Sequence, residues 1–396
     1  MAPTREPLRM YKSHEIHTSE IRSFLGCRRR WDWAYREGYV PEISARPLQF
    51  GIAFHQALEV FYDPETWDST TPEEKTKRAV DAFIKSCEEQ RAAYLKATGQ
   101  TTLLEADGDD YTERIDLGIG MIEWYGKQVH PKQDNWFKPV MVEVPFQVPI
   151  KDPTTGEHLR CYAPVVVDTQ DWDKYGEVLR TCGQVHEYGA IVTFDGRIDA
   201  IMQDLYNGGY FLWDHKSAAQ IRRDDRLLHL DPQVNGYTWA AYLKIGIDIR
   251  GFIYVEYRKD YPKPPKLLSR AYKGRNFSTD KQQPTDLENF TQTVQRFHPQ
   301  GLANGVYDEY IAWLQSTEAP VFHRRFTIIK TKKNLESAGQ QIYLIARDMI
   351  SSDLTIYPNA GHFSCSGCAY YTPCLAKTLG EDYQHSLSSD PYKKVK

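Results

Sequence analysis

The chain has 396 residues, 41% of them apolar and 26% charged, which is the balance of a globular protein and excludes a disordered or fibrous one. No run approaches the roughly 20 apolar residues of a membrane span, and the N-terminus has no apolar signal region, so a cytoplasmic location is expected. The net charge of −4 excludes nucleic-acid binding by bulk attraction; a groove for DNA needs its own basic lining. The seven cysteines are an odd set, which argues against a disulfide framework. The 26 Tyr and 9 Trp serve packing, with stacking on unpaired bases as a second use.

Residues 1–17 carry little pattern and read as an N-terminal arm. A helical region is expected over 18–135. Thr18 or Ser19 suits an N-cap, and Ile21, Phe24 and Leu25 follow at helical spacing. That helix runs into Cys27-Arg28-Arg29-Arg30-Trp31, whose arginines either contact phosphate or form a solvated basic face. Phe50–Phe61 is amphipathic and carries His55; on such a helix alone, a histidine is a surface or structural residue. Charged helices are expected over Pro72–Lys96 and Asp110–Gln128, with a loop between them at Thr98–Asp109. Val140–Val148 alternates and reads as the first core strand of a region spanning 136–260, with Glu143 an exposed residue at its end. Residues 150–187 look like an insertion holding Cys161 and Cys182, which, with Cys87, read as isolated thiols.

The sequence then becomes dense in chemistry. Gly196-Arg197-Ile198-Asp199 leads through Asn207-Gly208-Gly209 to Tyr210-Phe-Leu-Trp-Asp214-His215-Lys216, two apolar runs around a turn, which predicts a hairpin. Asp214 and Lys216 are two apart and share a strand face, with Asp199 on the neighbouring strand. Two carboxylates on one face suit a hard divalent cation, and the lysine ammonium stands beside the same spot. Ala218–Asp231 is a loop with Arg222, Arg223 and Arg226. The helix expected over Asp231–Ile245 carries Gln233 and Tyr237, four apart on one face. Ile249–Tyr257 is the next strand. A basic connector, Arg258–Pro284, leads from the core into a C-terminal region over 261–380, where Leu287–Gln315 and Leu335–Ser351 are helical by period. Cys365, Cys368 and Cys374 have metal-ligand spacing, C-x2-C-x5-C. Three thiols are one short of a full set; zinc and an iron–sulfur cluster both suit thiolates, and His362 is a further zinc ligand candidate. Residues 381–396 form a tail.

The order Gly-x-x-Asp, hairpin, Asp-x-Lys, Gln-x-x-x-Tyr resembles the PD-(D/E)XK nuclease superfamily, and within it the RecB/AddB-type exonucleases. Gly51-x-x-x-His55 after Cys27 adds to the likeness. One Cys before this helix and three after the core resemble the iron–sulfur nucleases of the AddB type and of CRISPR adaptation. The resemblance implies an α/β fold: a restriction-endonuclease-like mixed-sheet core flanked by helices, with an iron–sulfur-stapled helical shell. It implies a metal-dependent DNA exonuclease in which Asp199, Asp214, His55 and the carbonyl of His215 hold Mg²⁺ or Mn²⁺. Lys216 would orient or deprotonate the attacking water. Gln233 and Tyr237 would abut the site, with Arg222 and Arg223 on the DNA backbone, and Glu143 resembles a family position near the active site. Cys27, Cys365, Cys368 and Cys374 would bind a [4Fe-4S] cluster, zinc being the rival. No phosphate-binding G-x-x-x-x-G-K-[ST] loop is present, so any helicase or recombinase/annealing protein would be a separate partner. Phage DNA processing in the host cytoplasm, recombination or repair is the expected setting, and a ring-like homo-oligomer is open. The alternatives are a catalytically inactive DNA-end-binding or adaptor protein with the same fold, and a zinc-stabilised protein of other function.

Overall fold

Strand pairing, more than any helix, decides where the chemistry of this chain can sit. In a computed structural model we describe residues 14–41, 46–103, 105–161, 189–351, 353–389 and 392–394. The strands, in chain order, are β1 (His14–His17), β2 (Tyr39–Pro41), β3 (Phe137–Pro149), β4 (Arg160–Cys161), β5 (Ala190–Asp204), β6 (Tyr210–Ala218), β7 (Ile249–Arg258), β8 (Leu267–Tyr272), β9 (Arg275–Phe277), β10 (His323–Ile329) and β11 (Tyr392–Lys394). The central mixed sheet runs β1-β5-β6-β7-β10, with β3 and β4 also paired to β5.

The long strand β5 is shared unequally along its two flanks. Along one flank β3 pairs with Thr193–Asp204. The other flank is divided: β6 takes Ala200–Gln203 and β1 takes Val192–Asp195. Between those two stretches lie Gly196–Asp199, where β6 has left β5 to follow β7 in parallel through Ala218. The sheet therefore forks just past Asp199. Antiparallel pairing at the closed end of the fork comes from the tight hairpin, whose turn contains Gly208 at φ +71°, a conformation that favours glycine.

Alternation along the strands splits the apolar residues between two layers. On one side, Phe194, Leu212 and Phe252 pack with Val234 and Ala241 of the helix Pro232–Lys244 and Ile342 of the helix Lys332–Met349. On the other, Trp213, Ile253 and Val255 meet Phe50, Phe54 and Phe61 of the helix Arg46–Phe61, with Phe83 and Tyr125 behind them. The sheet is thus covered on both faces, as a mixed α/β core requires. A further unit, Leu267 to Leu314, has its own small core of Phe277, Phe290, Val294, Tyr307, Tyr310 and Leu314. Among the described residues no helix is long and apolar enough to cross a membrane.

Several expectations need correcting. The arm expected over 1–17 ends in a sheet strand: His14–His17 pair in parallel with β5, so the first strand of the sheet precedes β3. Its four residues are too few to show a period. The loop expected at Thr98–Asp109 is already helical from Glu105, the start of the helix Glu105–Trp124. The single helix expected over Leu287–Gln315 is three short ones, broken at His298-Pro299 and at Gly305. The tail is not free: β11 pairs with β2, and Tyr392 and Leu387 pack on Trp33 and Tyr370. The Cys182 end of the insertion lies outside the described residues.

Gly196 sits where the fork opens. A Cβ there would stand 2.5 Å from the Phe146 ring and 3.2 Å from Tyr237, so these rings fill the space that a side chain would occupy. Gly196→Ala should therefore cost about 1–3 kcal/mol of stability through overpacking, read as a lower urea midpoint with an unchanged slope.

Candidate active site

The hairpin delivers Asp214 and Lys216 to one face of β6 and His215 to the other, because side chains alternate. The His215 ring is buried against Tyr62, with centroids 5.6 Å apart, on the face covered by the helix Arg46–Phe61. Asp214, only 1% exposed, faces the helix Pro232–Lys244. That helix begins at Asp231, whose carboxylate accepts from the N–H groups of Gln233 and Val234 and pairs with Arg22 at 2.7 Å. This cap fixes Gln233 in the first turn, where its Nε2 donates to Asp214 Oδ1 at 2.7 Å. Lys216 Nζ donates to the same oxygen at 2.8 Å. Asp214 Oδ2 is buried and has no hydrogen-bond partner among the described residues.

Asp199 bridges the fork. Its Oδ2 accepts from the backbone N–H of His215 at 2.9 Å and lies 3.1 Å from His55 Nδ1. His55 arrives there because Phe50, Phe54, Leu58 and Phe61 anchor its helix in the core, leaving His55 at the edge that overlooks β5. The two acids diverge electrostatically. Burial pushes the Asp214 carboxyl up to about 6, and the neighbouring Asp199 charge adds to this against the opposing pull of Lys216. Burial acts on Asp199 in the same sense, but His55 and Lys216 together hold it well below the ordinary carboxylate range. For His55, burial disfavours the charge, yet Asp199 outweighs it and the pKa is raised. Lys216 likewise resists desolvation through Asp214 and Asp199 and stays firmly protonated.

A sequence model of the PD-(D/E)XK nuclease superfamily matches residues 17–374. The chain belongs to the PD-(D/E)XK nuclease superfamily. No curated protein sequence matches it. Members of the superfamily are nucleases that typically use Mg²⁺ or Mn²⁺, and membership implies DNA as substrate.

In this PD-(D/E)XK chain the acids are closed on internal partners. Among the described residues no three His, Cys, Asp or Glu side chains are arranged ready around an ion. The donor chemistry nonetheless suits a divalent cation: two carboxylates, one with an orphaned buried oxygen, face a common space with an imidazole beside them.

The remaining residues singled out from sequence are brought to the site to different degrees. Tyr237, one turn beyond Gln233, packs against Phe146 with centroids 5.0 Å apart; burial, then Asp214, raises its hydroxyl pKa. Arg222 is held by Glu256 through both its backbone N–H, at 2.7 Å, and its guanidinium, at 3.2 Å. Arg223 is exposed, its carbonyl accepting from Arg324. The Arg28–Arg30 run is engaged by protein: Arg28 pairs with Asp348 at 2.6 Å, and Arg30 Nε donates to Ser23.

Glu143 departs from the strand-end reading and lies near Asp199, as the resemblance implied. It is not an exposed strand-end residue but half-buried opposite Asp199, between the pairs Val142/Ala200 and Val144/Ile198. Its φ of 48° is unusual for a non-glycine residue. Burial raises its pKa, Asp199 and Glu59 add to this, and Arg197 pairs with it at 3.3 Å. A third acid with a fourth, Glu59, nearby thus borders the fork. Glu59 lies one turn beyond His55, and that i,i+4 spacing was the signal available in the sequence.

A buried polar chain behind the site had no such signal. His215 Nδ1 meets the Tyr257 hydroxyl at 3.0 Å. Next to Tyr257, Tyr125 donates to Asp134 Oδ2 at 2.7 Å, and Arg325 pairs with that aspartate. Burial keeps His215 neutral, its pKa lowered to about 3. These residues come from four distant segments, so no spacing rule links them.

Cys27, Cys365, Cys368 and Cys374 line one pocket of about 230 Å³ together with Trp33 and Tyr370. Cys27 Sγ accepts from Asn359 N at 3.4 Å, and Cys374 Sγ from Arg29 at 3.5 Å. Both ends of the chain therefore meet here, and the β2/β11 ribbon ties them independently of any bound group.

Proposed function

We propose that this chain is a metal-dependent DNA exonuclease that hydrolyses phosphodiester bonds at the fork between β5 and β6. The observation that carries the reading is the orphaned, buried Asp214 Oδ2 beside Asp199 and Lys216. Burying an acid that is raised by its neighbour and left half-satisfied costs stability, and function is the reason such costs persist. Asp199, Asp214 and His55, with the carbonyl of His215, would hold Mg²⁺ or Mn²⁺, which when bound supplies Lewis acidity toward a phosphate and makes a coordinated water more acidic.

The protein's own contributions follow from its contacts. The His215 N–H orients Asp199, and Gln233 orients Asp214, so neither carboxylate is free to swing. Lys216, held protonated by Asp214 and Asp199 while no cation is bound, would orient or deprotonate the attacking water and offset charge developing on the phosphate. Tyr257 holds the neutral His215 ring and thereby the strand that carries both Asp214 and Lys216.

Exonuclease action, ends supplied by a separate helicase or recombinase/annealing protein, and a role in recombination, repair or phage DNA processing rest on the resemblance to RecB/AddB-type enzymes. The same resemblance, with four thiols around one pocket, supports a [4Fe-4S] cluster on Cys27, Cys365, Cys368 and Cys374.

Digestion of 5′- and 3′-end-labelled single- and double-stranded DNA tests the activity. Wild type should release label with Mg²⁺ or Mn²⁺, whereas Asp214→Ala and Lys216→Ala should lose at least about a hundredfold in rate. Activity in Lys216→Ala would remove that residue's role, and no digestion by a folded, DNA-binding wild type would favour the adaptor reading.

A pH dependence is also expected. Cation binding requires Asp214 and His55 to be deprotonated, so at sub-saturating Mg²⁺ the rate should fall as pH is lowered through about 6 and recover with excess Mg²⁺. A rate flat across that range would contradict the assignment.

Protein purified without oxygen should be brown, absorb in the visible, and bleach on loss of any one of the four cysteines. A colourless protein carrying zinc would replace the cluster with a zinc site.

A further inference from the structure

The chain leaves the active-site end of the sheet through a basic, aromatic hairpin that the chemistry described so far does not use. β7 runs parallel to β6 with Lys216 opposite Glu256 and Ala218 opposite Arg258. Lys259 N then donates to Ala218 O at 2.7 Å, so the exit begins two residues beyond Lys216. The following segment reaches the β8/β9 hairpin, which pairs with no other strand of the described residues.

An isolated two-stranded hairpin is marginal in water. This one is braced at its base: the Tyr307 hydroxyl accepts from the N–H groups of Asn276 and Phe277 at 3.0 and 3.2 Å, and Phe277 is buried in the small core of its unit. The tip, Lys273-Gly274, turns with both residues at positive φ, 51° and 76°, the geometry of a tight two-residue hairpin turn. A strained non-glycine turn residue on a braced ribbon makes a fixed projection, not a loose loop.

Its surface has one character. From Pro264 to Phe277 there are four basic residues, Lys266, Arg270, Lys273 and Arg275, and no acidic one, in a chain whose net charge is −4. Tyr272 pairs with Arg275 across the ribbon, and Arg270 lies in the irregular stretch just before it, so a basic residue stands on either side of the tyrosine. Tyr272 is 57% exposed, with the Lys273 ammonium and the Arg275 guanidinium 5.4 and 5.7 Å from its ring centroid, so a stacked base would share the ring with these cations. Lys266, Arg270 and Lys273 are exposed, and none is in an ion pair among the described residues.

We propose that the β8/β9 hairpin is a grip for single-stranded DNA, with Lys266, Arg270 and Lys273 on successive phosphates and an unpaired base stacked on Tyr272. Charge complementarity selects the polyanion, and the exposed aromatic face selects a strand whose bases are unstacked. The inference rests on the nuclease reading for its substrate, and names where that substrate is held outside the reacting centre.

The test is binding of fluorescent single-stranded and duplex oligonucleotides to the full chain in EDTA, where no cutting occurs, across a salt series. For the triple variant Lys266→Glu, Arg270→Glu, Lys273→Glu, the dependence of log affinity on log salt should flatten by about 2, from about 0.7 per lost phosphate contact. Affinity for single strands should fall at least about tenfold. Tyr272→Ala should weaken single-strand binding about fivefold or more with the slope unchanged, and duplex binding less. If the triple variant fails to fold, Lys273→Glu alone must still flatten the slope by about 0.7. Folded variants with wild-type affinity and slope would overturn the proposal even where wild type digests DNA. Hairpin-dependent binding by a wild type that never cuts would instead overturn the nuclease reading and leave the grip standing.

Discussion

Two carboxylates share a water-poor fork in a β-sheet, and much of the surrounding structure contains their repulsion. Asp214 is buried and Asp199 largely so, and the charge on Asp199 raises the Asp214 pKa, so the two do not ionise independently. The fold resolves this asymmetrically. His55, Lys216 and the His215 N–H favour charge on Asp199; burial leaves Asp214 near neutrality's edge, held by Lys216 and Gln233 on one oxygen only. A divalent cation would relieve the same repulsion by attraction, and the protein holds it at bay meanwhile with an ammonium and an imidazole.

The fork itself depends on length mismatch. β5 is long enough to pair with β6 at one end and β1 at the other, and the residues between them face neither. Had β6 continued beside β5, Asp199 would be one more side chain on a continuous sheet. Because β6 follows β7 instead, the Asp199 carboxylate replaces a missing backbone partner for the His215 N–H. Behind it, Tyr257, Tyr125, Asp134 and Arg325 form a buried polar chain that stiffens the strand from the opposite face. Removing a single partner from such a chain leaves a buried group unsatisfied, which is why it rigidifies the site.

Much of this was legible in the residues. The Asn207-Gly208-Gly209 turn between apolar runs announced the hairpin, and the two-residue spacing of Asp214 and Lys216 announced a shared face. The helix bearing Gln233 and Tyr237 starts one residue from its expected position, since Asp231 followed by Pro232 is a strong start signal. Other features depend on contacts that no local pattern encodes. β1 is too short to show a period and exists only because β5 offers an edge. Glu143 owes its half-buried place to its position opposite Asp199 on the neighbouring strand, at a φ of 48° that no spacing announces. Arg222, expected on the DNA backbone, has a protein partner that no spacing announced, Glu256 on strand β7, 34 residues away. Local spacing fixes faces and turns, whereas the partners of a charge are chosen by the sheet.

The most direct test of the fork as a hydrolytic metal centre is a crystal structure of the protein soaked in Mn²⁺, with data collected at the manganese edge. An anomalous peak within coordination distance of both Asp199 and Asp214, with Lys216 released from Asp214, is the expected result. Manganese absent from the fork, with His55 still on Asp199 and Lys216 still on Asp214 at saturating metal, would contradict it.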